Sequence, residues 1–195
     1  MKLYMIRHGE SMANAERRHA GWAHVPLTEK GREDARRAGA LIREMNFDKI
    51  YVSDTLRARE TLALALPEVT GLQTSLLREI GVGSLSGRLA SVCAAEYGER
   101  YAEHRRLRDF SAYGGENHEM QFERIKAFSE LILRDGGETV LAVCHEGSIK
   151  CMLEIVRGKR LAPGECSLAN GSLSVFEYRD GRWFCTEWNK VSDEV

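Results

Sequence analysis

A chain of 195 residues with 43% hydrophobic residues fits one domain with a sizeable core. Its net charge of −1 and pI of about 6.6 exclude nucleic acid or an anionic membrane surface as the main partner, and no apolar stretch approaches the roughly 20 residues that span a bilayer. The five cysteines (Cys93, Cys144, Cys151, Cys166 and Cys185) are odd in number and form no Cys-x-x-Cys, which argues against a disulfide framework and a zinc site and fits a reducing cytoplasm.

Leu3–Ile6 reads as a strand that runs straight into Arg7-His8-Gly9-Glu10, and the start Met1-Lys2-Leu3-Tyr4 leaves no room for a signal peptide. Thr28 is placed to cap a helix whose apolar stripe is Ala35, Ala38, Ile42 and Met45. Ile50-Tyr51-Val52 is a second strand, followed by Asp54 as cap of a helix through Leu62 and Leu66 that Pro67 stops. A third helical pattern occupies Leu89 to about Arg106. Asn117 caps a fourth, with Phe122, Ile125, Phe128 and Ile132 at helical spacing. Thr139–Cys144 is a near-continuous apolar strand, as expected for one buried on both faces, and Ile149, Leu153 and Val156 mark another helix. Leu173–Tyr178 and Trp183–Trp188 close the chain as a hairpin through Asp180-Gly181. No repeat, low-complexity tract or linker divides the sequence. Strands alternating with helices predict an α/β fold: a three-layer α/β/α sandwich with a mostly parallel sheet, an antiparallel edge hairpin, and a small helical cover near 85–116 over the carboxyl rim, all in one domain, 1–195.

The polar residues collect at strand ends. His8 follows the first strand, Arg57 lies in the first turn of the helix after the second, and His145 follows the Thr139–Cys144 strand. Parallel strands put their carboxyl ends on one rim, where ligands bind in open α/β sheets. Glu79 lies in a glycine-rich loop free to fold over that rim. Together with Arg7 the cluster suits phosphoryl transfer: cations to neutralise phosphate oxygens, a neutral imidazole to attack, and an acid for the leaving group. Each member also has a plainer reading, as an exposed strand-end residue, a surface helix arginine or a solvated loop carboxylate.

Longer segments carry a resemblance. Arg7-His8-Gly9-Glu10-Ser11 with Asn14, Arg18 and Gly21-Trp22, Pro26-Leu27-Thr28 through Gly31, Ser53-Asp54-Thr55-Leu56-Arg57-Ala58 with Thr61, Leu77-Arg78-Glu79 through Gly83 and Gly87, Gly114-Gly115-Glu116-Asn117, Val143-Cys144-His145-Glu146-Gly147 and Asn170-Gly171-Ser172 follow one another along nearly the whole chain. In that order they resemble the phosphoglycerate-mutase-like branch of the histidine phosphatase superfamily. The resemblance implies a metal-independent enzyme in which His8 becomes a phosphohistidine. Arg7, Arg57 and His145 would hold the phosphoryl group, Asn14 would add a contact, and Glu79 would protonate the leaving group and then activate water. Gly21, Trp22, Glu146 and Gly147 would complete the substrate site. No cofactor and no metal are implied, because two arginines do the work of a cation. A zinc reading of His8, His145, Glu10 and Glu79 is opposed by those arginines and matches no common spacing.

Two departures stand out: Glu146 replaces a small residue after the second histidine, and Leu85-Ser86 replaces an aromatic-acid pair. The short segment between the acid loop and His145 favours hydrolysis of a small phosphorylated substrate. Mutase-type transfer and non-catalytic phospho-ligand binding are the alternatives. Tyr101, Arg105 and Arg108 share a predicted helical face and could read a carboxylate or second phosphate, or simply form a solvated face. A homodimer stays open as the assembly.

Overall fold

The computed structural model describes residues 1–193. Six strands, β1 (Lys2–Arg7), β2 (Lys49–Ser53), β3 (Leu72–Thr74), β4 (Thr139–Cys144), β5 (Leu173–Arg179) and β6 (Arg182–Lys190), form one sheet in the order β3-β2-β4-β1-β5-β6. The first four run parallel and the β5–β6 hairpin antiparallel, so the predicted mostly parallel sheet with an edge hairpin is what the chain forms. β3 had no legible pattern: it is three residues, none of them buried, too short to show a period of two.

The first helix, α1 (Met12–Ala15), is a single turn after β1. Alternating side chains divide the core into two layers. On one face Leu3, Met5, Val140 and Ala142 pack against Ile125, Phe128 and Ile132 of α5 (His118–Asp135) and against Ile149, Met152 and Leu153 of α6 (Glu146–Arg157). On the other, Ile6, Val52, Leu141 and Val143 meet Ala38 and Ile42 of α2 (Glu29–Ile42) and Ala58 and Leu62 of α3 (Leu56–Ala65). β4 contributes to both layers, which is why it reads as an unbroken apolar run. A third small core of Ile80, Val82, Leu85, Cys93, Tyr101 and Phe110 holds together the cover above the carboxyl rim. Leu85, one of the departures from the family pattern, is fully buried there.

The cap residues test the local reading. Thr28 and Asn117 accept hydrogen bonds from the N–H groups of Gly31 and Met120, as their types predict. Asp54 does not cap α3. Thr55 stands at that position, and the Asp54 carboxylate pairs with Arg78 at 2.6 Å. A charged partner 24 residues away outcompetes a local N–H, because a bidentate Arg–carboxylate bond is the stronger one. α3 ends at Ala65, before Leu66, and Met45 lies beyond the end of α2. The helix of the cover, α4 (Ala90–Leu107), is broken at Gly98, whose φ of +57° and ψ of −137° suit only glycine.

Candidate active site

Register places the site. Arg7 of β1 sits opposite Cys144 of β4, and Val52 of β2 opposite Val143. His8 and His145 therefore leave the sheet side by side on its carboxyl rim, with Ser53, the last residue of β2, one step behind them. The His8 and His145 ring centroids are 5.0 Å apart. Both rings are buried rather than exposed at a strand end.

Backbone contacts orient the His8 ring. Its Nδ1 donates to the carbonyl of Gly9 at 2.7 Å, which leaves Nε2 with a lone pair, 3.3 Å from the Nε of Arg57. Its own carbonyl accepts from the Asn170 side chain and from Gly171 N–H. His145 Nε2 pairs with Ser53 Oγ at 2.9 Å, and its Nδ1 accepts from Arg57 at 3.2 Å. Burial, with Arg57 and Arg7 adding to it, pushes both imidazoles well below their ordinary pKa, so both are neutral at pH 7.

Arg57, on the first turn of α3, is 1% exposed. It donates to the carbonyls of Gly21 and Ala23 and to the two imidazoles, and among the described residues it has no carboxylate partner. Burial lowers its pKa to about 10, which still leaves it charged at neutral pH. A buried guanidinium without a counter-ion is costly, and a ligand anion resolves the cost. Arg7 adds a second cation. It donates to the carbonyl of Leu168 and pairs with Glu146 at 3.3 Å, while its Nε is buried with no hydrogen-bond partner among the described residues.

Glu79 is tied down rather than free to move. Its carboxylate accepts from the N–H groups of Ile80 and Gly147 and from the Gln121 side chain, at 2.8–3.0 Å, and Arg108 lies 3.6 Å away. Burial pulls its pKa up, but Arg108 and these three hydrogen bonds outweigh it and bring the group down to about 2. The missing side chain at Gly147 leaves room for this: a Cβ there would push aside the side-chain ends of Glu79, Arg108 and Gln121.

The other expected site residues divide. Asn14, Gly21, Glu146 and Gly147 line the same cavity of about 990 Å³ as Arg7, His8, Arg57 and Glu79. Glu146 faces inward and bridges Arg7 to Lys150, at 3.3 and 2.7 Å. Trp22 does not line that cavity. Its indole donates to the carbonyl of Glu79 from the far side of the loop and stacks on Arg78, so it supports the acid loop. Glu10 turns away to Thr28 and Lys30, which breaks up the four-residue zinc reading. Tyr101, Arg105 and Arg108 all line the cavity, but not as one helical face: Tyr101 is buried and bonds His19, and Arg108 is the left-handed cap after α4. Gln121, which bonds Glu79, carries no local sequence signal, whereas Ser53 and Asn170 stand in the segments that carry the resemblance and only their partners, His145 and the carbonyl of His8, had to come from the fold.

Away from the rim, His118, Cys151 and Glu154 bring three metal-type donor atoms within 4.8 Å of one another. His118 and Glu154 already pair at 2.9 Å, and Leu161 N–H holds the other carboxylate oxygen. The cluster fits a buried tie between α5, α6 and the loop after α6. No helix among the described residues is long and apolar enough to cross a membrane.

The neutral histidines have a measurable consequence. In the unfolded chain both titrate near 6.5, whereas the folded protein refuses those protons. Stability is therefore full above that pH and declines as pH falls, by about 1.4 kcal/mol per pH unit for each histidine. Chemical denaturation at pH 7.5 and 5.5 should show a loss of roughly 2–3 kcal/mol from this pair. The double variant His8→Asn/His145→Asn should lose that dependence; an equal slope in the variant would contradict the assignment.

Comparison with known proteins agrees with this geometry. The family model described as histidine phosphatase superfamily (branch 1) matches residues 3–191. The chain is 36% identical over 160 residues to 2,3-bisphosphoglycerate-dependent phosphoglycerate mutase 2 of Gloeobacter violaceus, covering 77% of this chain and 73% of that one. Among solved structures, YhfR of Bacillus stearothermophilus superposes with a TM-score of 0.89 at 28% identity, over 98% of both chains. A putative alpha-ribazole-5'-P phosphatase of Escherichia coli shares the fold, with a TM-score of 0.87 at 24% identity over 100% of this chain and 98% of that one. The chain belongs to branch 1 of the histidine phosphatase superfamily.

Proposed function

We propose that the protein is a phosphomonoester hydrolase that works through a phosphohistidine on a small phosphorylated metabolite. The observation that carries this reading is Arg57, a buried cation with no carboxylate partner among the described residues, set between two imidazoles held neutral. The lone pair on His8 Nε2 attacks phosphorus and the ester P–O bond breaks. The leaving oxygen takes a proton from the Glu79 carboxyl, and Arg7, Arg57 and His145 bear the charge on the equatorial oxygens. Water then attacks the phosphohistidine, giving its proton to Glu79. The N–P bond breaks and inorganic phosphate leaves.

Glu79 meets its acid role through the substrate. A dianionic phosphoryl group beside it opposes ionisation and competes for Arg108, so binding raises the pKa of a group that the free protein keeps ionised. Five free cysteines support a reducing compartment, such as the cytoplasm, as its setting.

The name of the Gloeobacter relative favours a second reading, mutase-type transfer. Phosphate release and isomer exchange, measured side by side, separate the two. The hydrolase should release phosphate from p-nitrophenyl phosphate with no bisphosphate primer. Rapid interconversion of 2- and 3-phosphoglycerate, with phosphate only as a trace product, would establish the mutase instead.

A further inference from the structure

The cavity over the histidines continues beyond the rim. It adjoins a second cavity of about 920 Å³, and Ala94, Tyr101, Arg105, Arg108 and Lys150 line both. The phosphoryl group needs only the histidine end, so the remaining space belongs to whatever the phosphate is attached to. The second cavity lies between α4 and the segment after α6, and Leu161, Ala162 and Pro163 give it an apolar wall.

Its charges are uneven. Both carboxylates are occupied: Glu154 by His118 and Leu161 N–H, Glu165 by Arg157 and Ala162 N–H. Of the cations, Arg106 pairs with Glu103, Arg108 with Glu79, and Lys150 with Glu146. Two remain without a carboxylate partner among the described residues. Arg105 stands at the junction of the cavities, and Arg160, whose guanidinium donates to the carbonyl of Leu107, lies in the second. A passage with one apolar wall and two unneutralised guanidinium groups along it suits a chain or ring that ends in an oxyanion.

We propose that the second cavity is a leaving-group subsite, and that the substrate is an elongated phosphomonoester whose far end carries a second oxyanion, a carboxylate or a phosphate, held by Arg105 and Arg160. The inference rests on the phosphatase reading and adds the class of substrate. It also gives Arg160 a role in specificity without any part in the chemistry at His8.

Probes that vary length and end charge separately test this. Hexyl phosphate supplies length, phosphoglycolate supplies charge, and 6-phosphonooxyhexanoate and hexane-1,6-diyl bisphosphate supply both. The long anionic probes should exceed each of the others by about tenfold or more in kcat/KM, chiefly through KM. Whichever of the two is better identifies carboxylate or phosphate as the preferred end. Arg160→Ala should erase that advantage and stay within about twofold of wild type on p-nitrophenyl phosphate, and Arg160→Lys should retain part of it. Turnover of p-nitrophenyl phosphate with no preference for the long anionic probes would overturn the subsite and leave the phosphatase reading standing. If no probe releases phosphate, that reading fails instead. Calorimetry with hexane-1,6-diyl bisphosphonate, which cannot be hydrolysed, then still decides the subsite. Binding about tenfold tighter to wild type than to Arg160→Ala supports it, and equal affinities overturn it.

Discussion

Replacing His8 by alanine should lower phosphate release by at least about a thousandfold, because the lone pair on its Nε2, set 3.3 Å from the Nε of Arg57, is lost with the ring. The two arginines remain in the variant, so binding should suffer far less than turnover, and phosphate should still protect the protein against thermal unfolding. The fold should tolerate the change: the His8 ring hydrogen-bonds to the carbonyl of Gly9 and to Arg57 and meets the His145 ring edge-on, at the end of β1 rather than within a packed layer. His8→Asn, which keeps a polar group beside Arg57, serves as the second variant if alanine leaves that cation too exposed to its surroundings. Retention of substantial activity in both would remove His8 from the chemistry.

Glu79→Gln should separate substrates by leaving group. An alkoxide needs a proton as it departs, and a positioned acid is worth about 10²–10⁴-fold. The kcat/KM for an alkyl phosphate should fall by that amount. For p-nitrophenyl phosphate it should fall less than about tenfold, since nitrophenolate leaves unaided. The N–H groups of Ile80 and Gly147 bond different oxygens of the Glu79 carboxylate, so glutamine, with one acceptor oxygen, keeps one of these two anchors; a p-nitrophenyl phosphate rate near wild type shows that the loop holds. Equal losses on both substrate types would mean that another group supplies the proton. Glu146 is the nearest alternative by placement, since it faces the same cavity, whereas Glu10 points away.

What was legible in the sequence follows the range of the forces involved. β4 and the hairpin were readable because burial and turn chemistry are local: an unbroken apolar run, and Asp180-Gly181 between two strands. The meeting of His8, Arg57 and His145 followed from parallel strands alone, which must bring their carboxyl ends to one rim. The failures are long-range. Asp54, which reads as the cap of α3, is drawn off by Arg78, and the hydrogen bond of the Trp22 indole to the carbonyl of Glu79 spans 57 residues. Gln121 and Asn170 act on residues 42 and 162 positions away, distances at which no pattern in the chain announces a partner. Glu146 shows a middle case: its departure from the family pattern was visible, but only the fold reveals that it bridges Arg7 and Lys150.

The central claim is the covalent intermediate on His8, and trapping it is the most direct measurement. Protein mixed with a phosphomonoester and quenched in base within milliseconds should carry one added phosphoryl group by mass. That group should be lost in acid, map to the peptide containing His8, and be absent from His8→Ala. Turnover in the absence of any acid-labile adduct, or an adduct on another residue, would contradict the account.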